Sequence, residues 1–193
     1  MEDIQYQFLL QTDINDIPRA CQANQKYYRH CSTKQFWIDK FEQDRLPLLS
    51  NQCNTIECWI DEYNNTANAV DTTDAILNKF KRYSYFTITL TGLGELVTLD
   101  DLLTILPVAF VNKHQQFIQD IYNHVNDDAA LSLEVFMRNN TYRLIFMTFD
   151  NETGEDDSVE ESCNKEDIQR ILILLLHDYP NIEILNSNSE YYL

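Results

Sequence analysis

Glycine, proline and positive charge are all scarce in this chain of 193 residues, which holds Gly 3, Pro 4, and 14 Lys plus Arg against 31 Asp plus Glu. With so little glycine and proline, turns fall to Asn, Asp, Ser and Thr, whose short polar side chains hydrogen-bond nearby backbone. Gly92-Leu93-Gly94 lacks the third glycine of a dinucleotide-binding turn, and the sequence contains no P-loop. The net charge is −17. Residues 1–83 carry 9 Lys/Arg against 12 Asp/Glu, and residues 84–193 carry 5 against 19, so the deficit lies mainly in the second stretch. Such a field repels phosphate backbones and anionic lipid, and the expected partners therefore include no nucleic acid and no membrane. No apolar run reaches membrane-spanning length. The start, Met-Glu-Asp-Ile-Gln-Tyr, lacks the basic segment and apolar stretch of a secretory leader, so a reducing, cytoplasmic compartment is expected. Cys21, Cys31, Cys53, Cys58 and Cys163 are odd in number and show no framework-like spacing, so free thiols are expected. The sequons at Asn64, Asn139 and Asn151 are accordingly expected to stay unmodified.

Apolar residues make up 44% of the chain and aromatics 12%, enough for a packed globular core. Helical periodicity runs through the first 82 residues. A short helix is expected over 3–12, with Ile4, Phe8 and Leu9 on one face and Leu10 at its edge. A hairpin of helices follows over 13–31, with Asp13 as cap, Asp16 at its third position, and Ile17, Ala20, Cys21, Asn24, Tyr27, Tyr28 and Cys31 as its stripe. Further helices are expected over 35–45, 56–65 and 71–81, with Leu46-Pro47 ending the first of these. At Tyr83 the pattern changes. Tyr85–Leu90 alternates as a strand, and Thr98 opens a helix that Pro107 separates from a second one over 108–125. Two strands, 131–137 and 142–149, are joined through Asn139-Asn140 as a hairpin. An acidic loop is expected over 150–161, then a helix capped by Asn164, then a strand over 182–185.

These patterns predict an α+β protein: a helical module over 1–48, a helical extension over 49–82, and an acidic α/β domain over 83–193. The strand-helix-strand-strand-helix-strand order of that domain is the split βαβ order of ferredoxin-like folds, with the spatial order of the strands left open.

Catalytic and metal chemistry find little support in the residues. Cys53 and Cys58 are not a C-x-x-C pair, and Cys21 and Cys31 fit apolar positions of a helical stripe. His30, His114, His124 and His177 are scattered, with no nucleophile motif beside them. Residues 150–157 look superficially like a calcium loop, but the glycine and downstream ligand positions do not fit an EF-hand. No enzyme activity, cofactor or metal is expected.

The stretch Asp13–Trp37 resembles an F-box, in the divergent form of large DNA viruses of protists. The matching residues are Asp13, Ile14, Asp16 and Ile17 at its start, Tyr27 as its aromatic and Phe36-Trp37 at its end. Thr12 to Asn15, Cys21 to Asn24 and Cys31 fit the viral form. The resemblance covers about residues 3–45. It departs at Met1, where the family's leucine-proline pair would fall, and at Pro18. It implies a non-catalytic interaction adaptor, a substrate-recruiting subunit of a cullin-type ubiquitin ligase, located in the host cytoplasm if the chain is viral. It also implies a host Skp-type adaptor as partner, with Ile4, Phe8, Leu9, Leu10, Ile14 and Ile17 at the contact. An unidentified protein target would be held by the acidic domain, and the oligomeric state is not implied. The alternative is a viral interaction or structural protein that keeps the helical module only as core, with Leu9, Ile14 and Ile17 covered by residues 56–81.

Overall fold

The computed structural model describes residues 4–79, 84–90, 97–124, 129–138, 141–150, 156–182 and 184–188. It is mixed α+β: five helices come first, and a five-stranded antiparallel sheet with three further helices follows among the described residues. The chain divides into two compact units, 1–71 and 72–193.

The first unit opens with α1 (Ile4–Gln11), α2 (Ile17–Ala23), α3 (Gln25–Cys31) and α4 (Lys34–Gln43). Asp13 does not cap a helix as expected. It closes a turn instead: its carboxylate accepts from the Asn15 backbone at 2.9 Å and its carbonyl from the Asp16 backbone at 2.9 Å. The helix α2 therefore starts later, at Ile17, and Pro18 falls in its first turn, where a missing N–H costs nothing. Asn24 breaks α2 from α3 with an extended backbone, and its side chain accepts from the backbone of Lys26 and Tyr27, which caps α3. Thr33 caps α4 through the Phe36 backbone.

The helix α5 (Ile56–Lys79) replaces the two helices expected over 56–65 and 71–81. No Gly or Pro interrupts it. Trp59, Glu62, Thr66, Ala69, Thr73 and Leu77 recur at intervals of three and four and are all buried, so its inner stripe runs through the polar stretch that suggested a break. The boundary between the two units falls within this helix.

The second unit contains β1 (Ser84–Thr89), α6 (Leu99–Ile105), α7 (Val108–His124), β2 (Ala129–Arg138), β3 (Thr141–Asp150), β4 (Asp156–Cys163), α8 (Lys165–Asp178) and β5 (Ile184–Asn188). The sheet order is β4-β3-β2-β1-β5. Residues 139–140 of the expected hairpin turn lie outside the described residues, but the register of Arg138 with Thr141 agrees with a two-residue connection. Phe86 and Ile88 on β1, Leu131, Leu133 and Val135 on β2, and Leu144 and Phe146 on β3 form one buried face. They share a core with Leu102 and Ile105 of α6, Phe110 and Ile118 of α7, and Ile168, Leu172 and Leu175 of α8.

Two expectations change here. The acidic segment read as a loop is the edge strand β4 over its described part, pairing with β3 from Tyr142↔Cys163 to Phe149↔Asp156. Its carboxylates hid the alternation, because only Val159, Glu161 and Cys163 turn partly inward. Glu161 can do so because Lys113 and His114 of α7 both bind its Oε1. The ferredoxin-like order is also not the one formed. A split βαβ unit needs parallel strands flanking a third, whereas α6 and α7 lead back to β2, which lies beside β1 and antiparallel to it. Strands β4 and β5 do run in the same direction, but they occupy opposite edges of the sheet.

Candidate protein-interaction site

The stretch Asp13–Trp37 folds around its two closing aromatics. Phe36 and Trp37 are fully buried, with Leu9, Leu10, Ile17, Cys21, Cys31, Phe41 and Trp59 around them. The Trp37 indole N–H donates to the Cys31 carbonyl at 2.8 Å, which fixes the ring at the end of α3. Its face stacks on Trp59 of α5, 6.0 Å between ring centroids and 9° between planes. Tyr6 of α1 meets Phe36 and His30 edge-on and donates its hydroxyl to Asp39 at 2.6 Å. Burial, reinforced by that hydrogen bond and the Asp39 charge, pushes the Tyr6 phenol well above its ordinary value, so it stays a donor.

Lys40 is the least expected member of this core. It is buried, and its ammonium donates to the carbonyls of Leu10 and Thr12 at 2.8 and 2.9 Å, just where α1 ends and leaves its last carbonyls without helical partners. Asp44 balances the charge at 2.8 Å and also accepts from Tyr63 at 2.6 Å. A periodicity search assigns Lys to the solvent side. The only sequence signal here is Asp44 four residues after Lys40, an ordinary helical ion-pair spacing.

The six expected contact residues separate into two groups. Leu9, Leu10 and Ile17 are buried in the module's own core, and Ile14 is partly buried against it. Ile4 is 85% exposed and Phe8 54% exposed, one turn apart on α1. Phe8 stacks on Tyr27 at 6.1 Å, and Tyr28 on α3 is also exposed. The structure thus leaves Ile4 and Phe8 exposed on α1, with Phe8 stacked on Tyr27, and withholds Leu9, Leu10 and Ile17.

The charge of the stretch between Asp16 and Asp39 was also missed. Between Asp16 and Asp39 the sequence has no Asp or Glu, yet it holds Arg19, Lys26, Arg29 and Lys34. All four are exposed, and Arg19 lies 4.0 Å from Asp16. In a chain of net charge −17 this is a local reversal of sign, visible once charge is counted in short windows instead of by domain.

Four of the five cysteines are not free thiols. Cys21 pairs with Cys31, with Cα atoms 6.1 Å apart, and Cys53 pairs with Cys58 at 5.4 Å. The helical stripe that made Cys21 and Cys31 look like small apolar residues also brings them face to face across the α2–α3 hairpin. Cys163 is free. Burial first, then the nearby Asp167 and Glu161 carboxylates, push its thiol up to about 11, so it is held protonated at neutral pH.

Among the described residues, no group of three or more His, Cys, Asp or Glu side chains is placed to hold a metal ion, and no helix is long and apolar enough to cross a membrane. No family model, curated protein or solved structure matches the chain.

Proposed function

We propose that the chain is a non-catalytic protein–protein interaction adaptor that docks through the outer edge of its F-box-like module. The observation that carries this is the contrast along α1: Leu9 and Leu10 anchor the helix in the core, while Ile4 and Phe8 are left exposed, with Phe8 stacked on Tyr27. An apolar helix edge held rigidly from behind is a sound mode for binding a partner groove. The exposed Arg19, Lys26, Arg29 and Lys34 suit a partner whose rim is acidic.

The F-box resemblance makes a Skp-type adaptor of a cullin ubiquitin ligase the partner to test, and leaves the acidic second unit to hold a protein target. Ligase engagement would place the chain in the cytoplasm. The test is titration of the full chain with a purified Skp-type adaptor. Binding weakened about tenfold or more by Ile4→Asp or Phe8→Asp is the expected outcome. No binding at high micromolar concentration would overturn ligase engagement.

Burial of Leu9, Leu10 and Ile17 favours a second reading, in which the module serves only as core and the protein acts without the ligase. Loss of adaptor binding in the test, with the fold intact, is the result this reading expects.

A further inference from the structure

The two disulfides differ in access. Cys21 and Cys31 are 1% and 0% exposed, sealed between α2 and α3 under the aromatic core. Cys53 is half-buried and packs against that core, whereas Cys58 is exposed on the first turn of α5. The Cys58 backbone N–H donates to the Thr55 hydroxyl at 3.2 Å, which holds that turn in place whether or not the sulfur is bonded. Access is what distinguishes the Cys58 sulfur from the other three paired ones.

We propose that Cys53–Cys58 is a reversible thiol–disulfide exchange site that takes a low-molecular-weight thiol of the glutathione class, with Cys58 as the residue that carries the mixed disulfide. On oxidation, the Cys58 thiolate attacks one sulfur of the small disulfide, forms the Cys58–thiol mixed disulfide and expels one small thiolate. The Cys53 thiolate then attacks Cys58 Sγ and expels the second small thiolate. Two protein thiols and one small disulfide thus become one protein disulfide and two small thiols, and the protons of the cysteines end on the released thiolates. Reduction retraces the same path: a small thiolate attacks the exposed Cys58 Sγ, Cys53 leaves and takes a proton, and a second small thiol releases Cys58.

The site has something to control. The connector before α5 lies against the core through Leu46, Leu48 and Cys53, and the Ser50 backbone N–H donates to the buried Glu62 at 2.9 Å. The disulfide ties that connector to the first turn of α5, next to Trp59 and its stack on Trp37. Opening it frees the connector covalently while the Cys21–Cys31 bond keeps the hairpin closed. A pair of this kind fits a reducing compartment, where disulfides that do form are transient or regulatory.

The experiment incubates the full chain in native buffer with defined ratios of reduced and oxidised glutathione, blocks thiols with an alkylating agent and maps all five cysteines by peptide mass. Cys53 and Cys58 are expected to be alkylated on the order of 10²-fold faster than Cys21 and Cys31, whose exposure waits for opening of the unit. Glutathione is expected on Cys58, and Cys53→Ser is expected to trap it there, because no resolving thiol remains. The proposal is overturned by three outcomes: all four paired cysteines opening together, a Cys53–Cys58 bond that glutathione neither opens nor forms without denaturant, or an adduct found mainly on Cys53. The mapping of the unsubstituted chain decides between these even if Cys53→Ser fails to fold.

Discussion

Lys40 Nζ lies 2.8 Å from the carbonyl oxygen of Leu10, a bond that helps tie α4 to the end of α1. The same ammonium serves the Thr12 carbonyl and the Asp44 carboxylate and lies 5.9 Å from the centre of the Tyr63 ring. Lys40→Met keeps the length of the side chain but leaves two carbonyls without this donor and the Asp44 carboxylate with only the Tyr63 hydroxyl. Loss of about 2–4 kcal/mol of stability is expected, since a buried acceptor stripped of its partner keeps its full desolvation cost. Urea unfolding of the full chain followed by tryptophan fluorescence measures it. A change below about 0.5 kcal/mol would mean that water replaces the ammonium and that the lysine is incidental.

Arg45 adopts φ 59°, the left-handed conformation that ends α4, while the Leu46 backbone donates to the Phe41 carbonyl at 2.9 Å. Glycine usually fills this position, and this chain has little of it. Arg45→Gly removes the steric cost of the Cβ, about 1–2 kcal/mol, and gives back part of it as chain entropy. A net gain of up to about 1 kcal/mol is expected, and Arg45→Val should move stability in the opposite direction. Equal midpoints for all three proteins would remove the argument from strain.

The parts of this fold that were legible in the sequence are those in which one physical signal dominates. Asn164 reads as a helix cap, and it and Asp167 bind each other's backbone at the start of α8. Thr98 likewise caps α6. Phe36-Trp37, the large aromatic pair that closes the Asp13–Trp37 stretch, is fully buried. The signals that failed were those in which two effects compete. Thr66 and Ala69 looked like a break, although burial continues through them. The carboxylates of β4 concealed a strand whose hydrogen bonds come from β3. At the candidate site, helical spacing put Leu9, Leu10, Ile17, Ile4 and Phe8 on apolar positions but could not say which would face the module's own core. Pairing of the cysteines needed the hairpin geometry, which sequence spacing alone does not supply.

Asp101 joins Thr98 and Tyr179, accepting from both hydroxyls at 2.6 Å. The Thr98 hydrogen bond, followed by that of Tyr179, holds the Asp101 carboxyl below its ordinary value. Burial first, then the Asp101 hydrogen bond, pushes the Tyr179 phenol up to about 12. The sign follows for each group. A depressed carboxyl contributes stability above its unfolded value and loses it as pH falls through the folded one. A raised phenol contributes below its unfolded value and loses it as pH rises towards the folded one. The stability difference between the native chain and Tyr179→Phe should therefore be largest between about pH 4 and pH 10 and shrink on both sides. Denaturant midpoints measured across pH test this, and a difference that does not vary with pH would show that the phenol contributes by packing alone.

Thr66 and Thr73 lie on the inner stripe of α5, both fully buried, and their hydroxyl oxygens have no hydrogen-bond partner among the described residues. A buried hydroxyl that makes no bond retains the cost of leaving water and returns nothing for it. Valine has nearly the same shape and no such cost, so the usual penalty for replacing threonine in a core should be reversed here. Thr66→Val and Thr73→Val are each expected to stabilise the protein by about 1 kcal/mol. The two sites are two helical turns apart, so their effects should also add. Thermal and urea unfolding of the single and double variants provide the measurement. A loss of stability in either single variant would reveal a bound water or a polar partner at that hydroxyl, and additivity in the double variant would show that the two hydroxyls act separately along the helix.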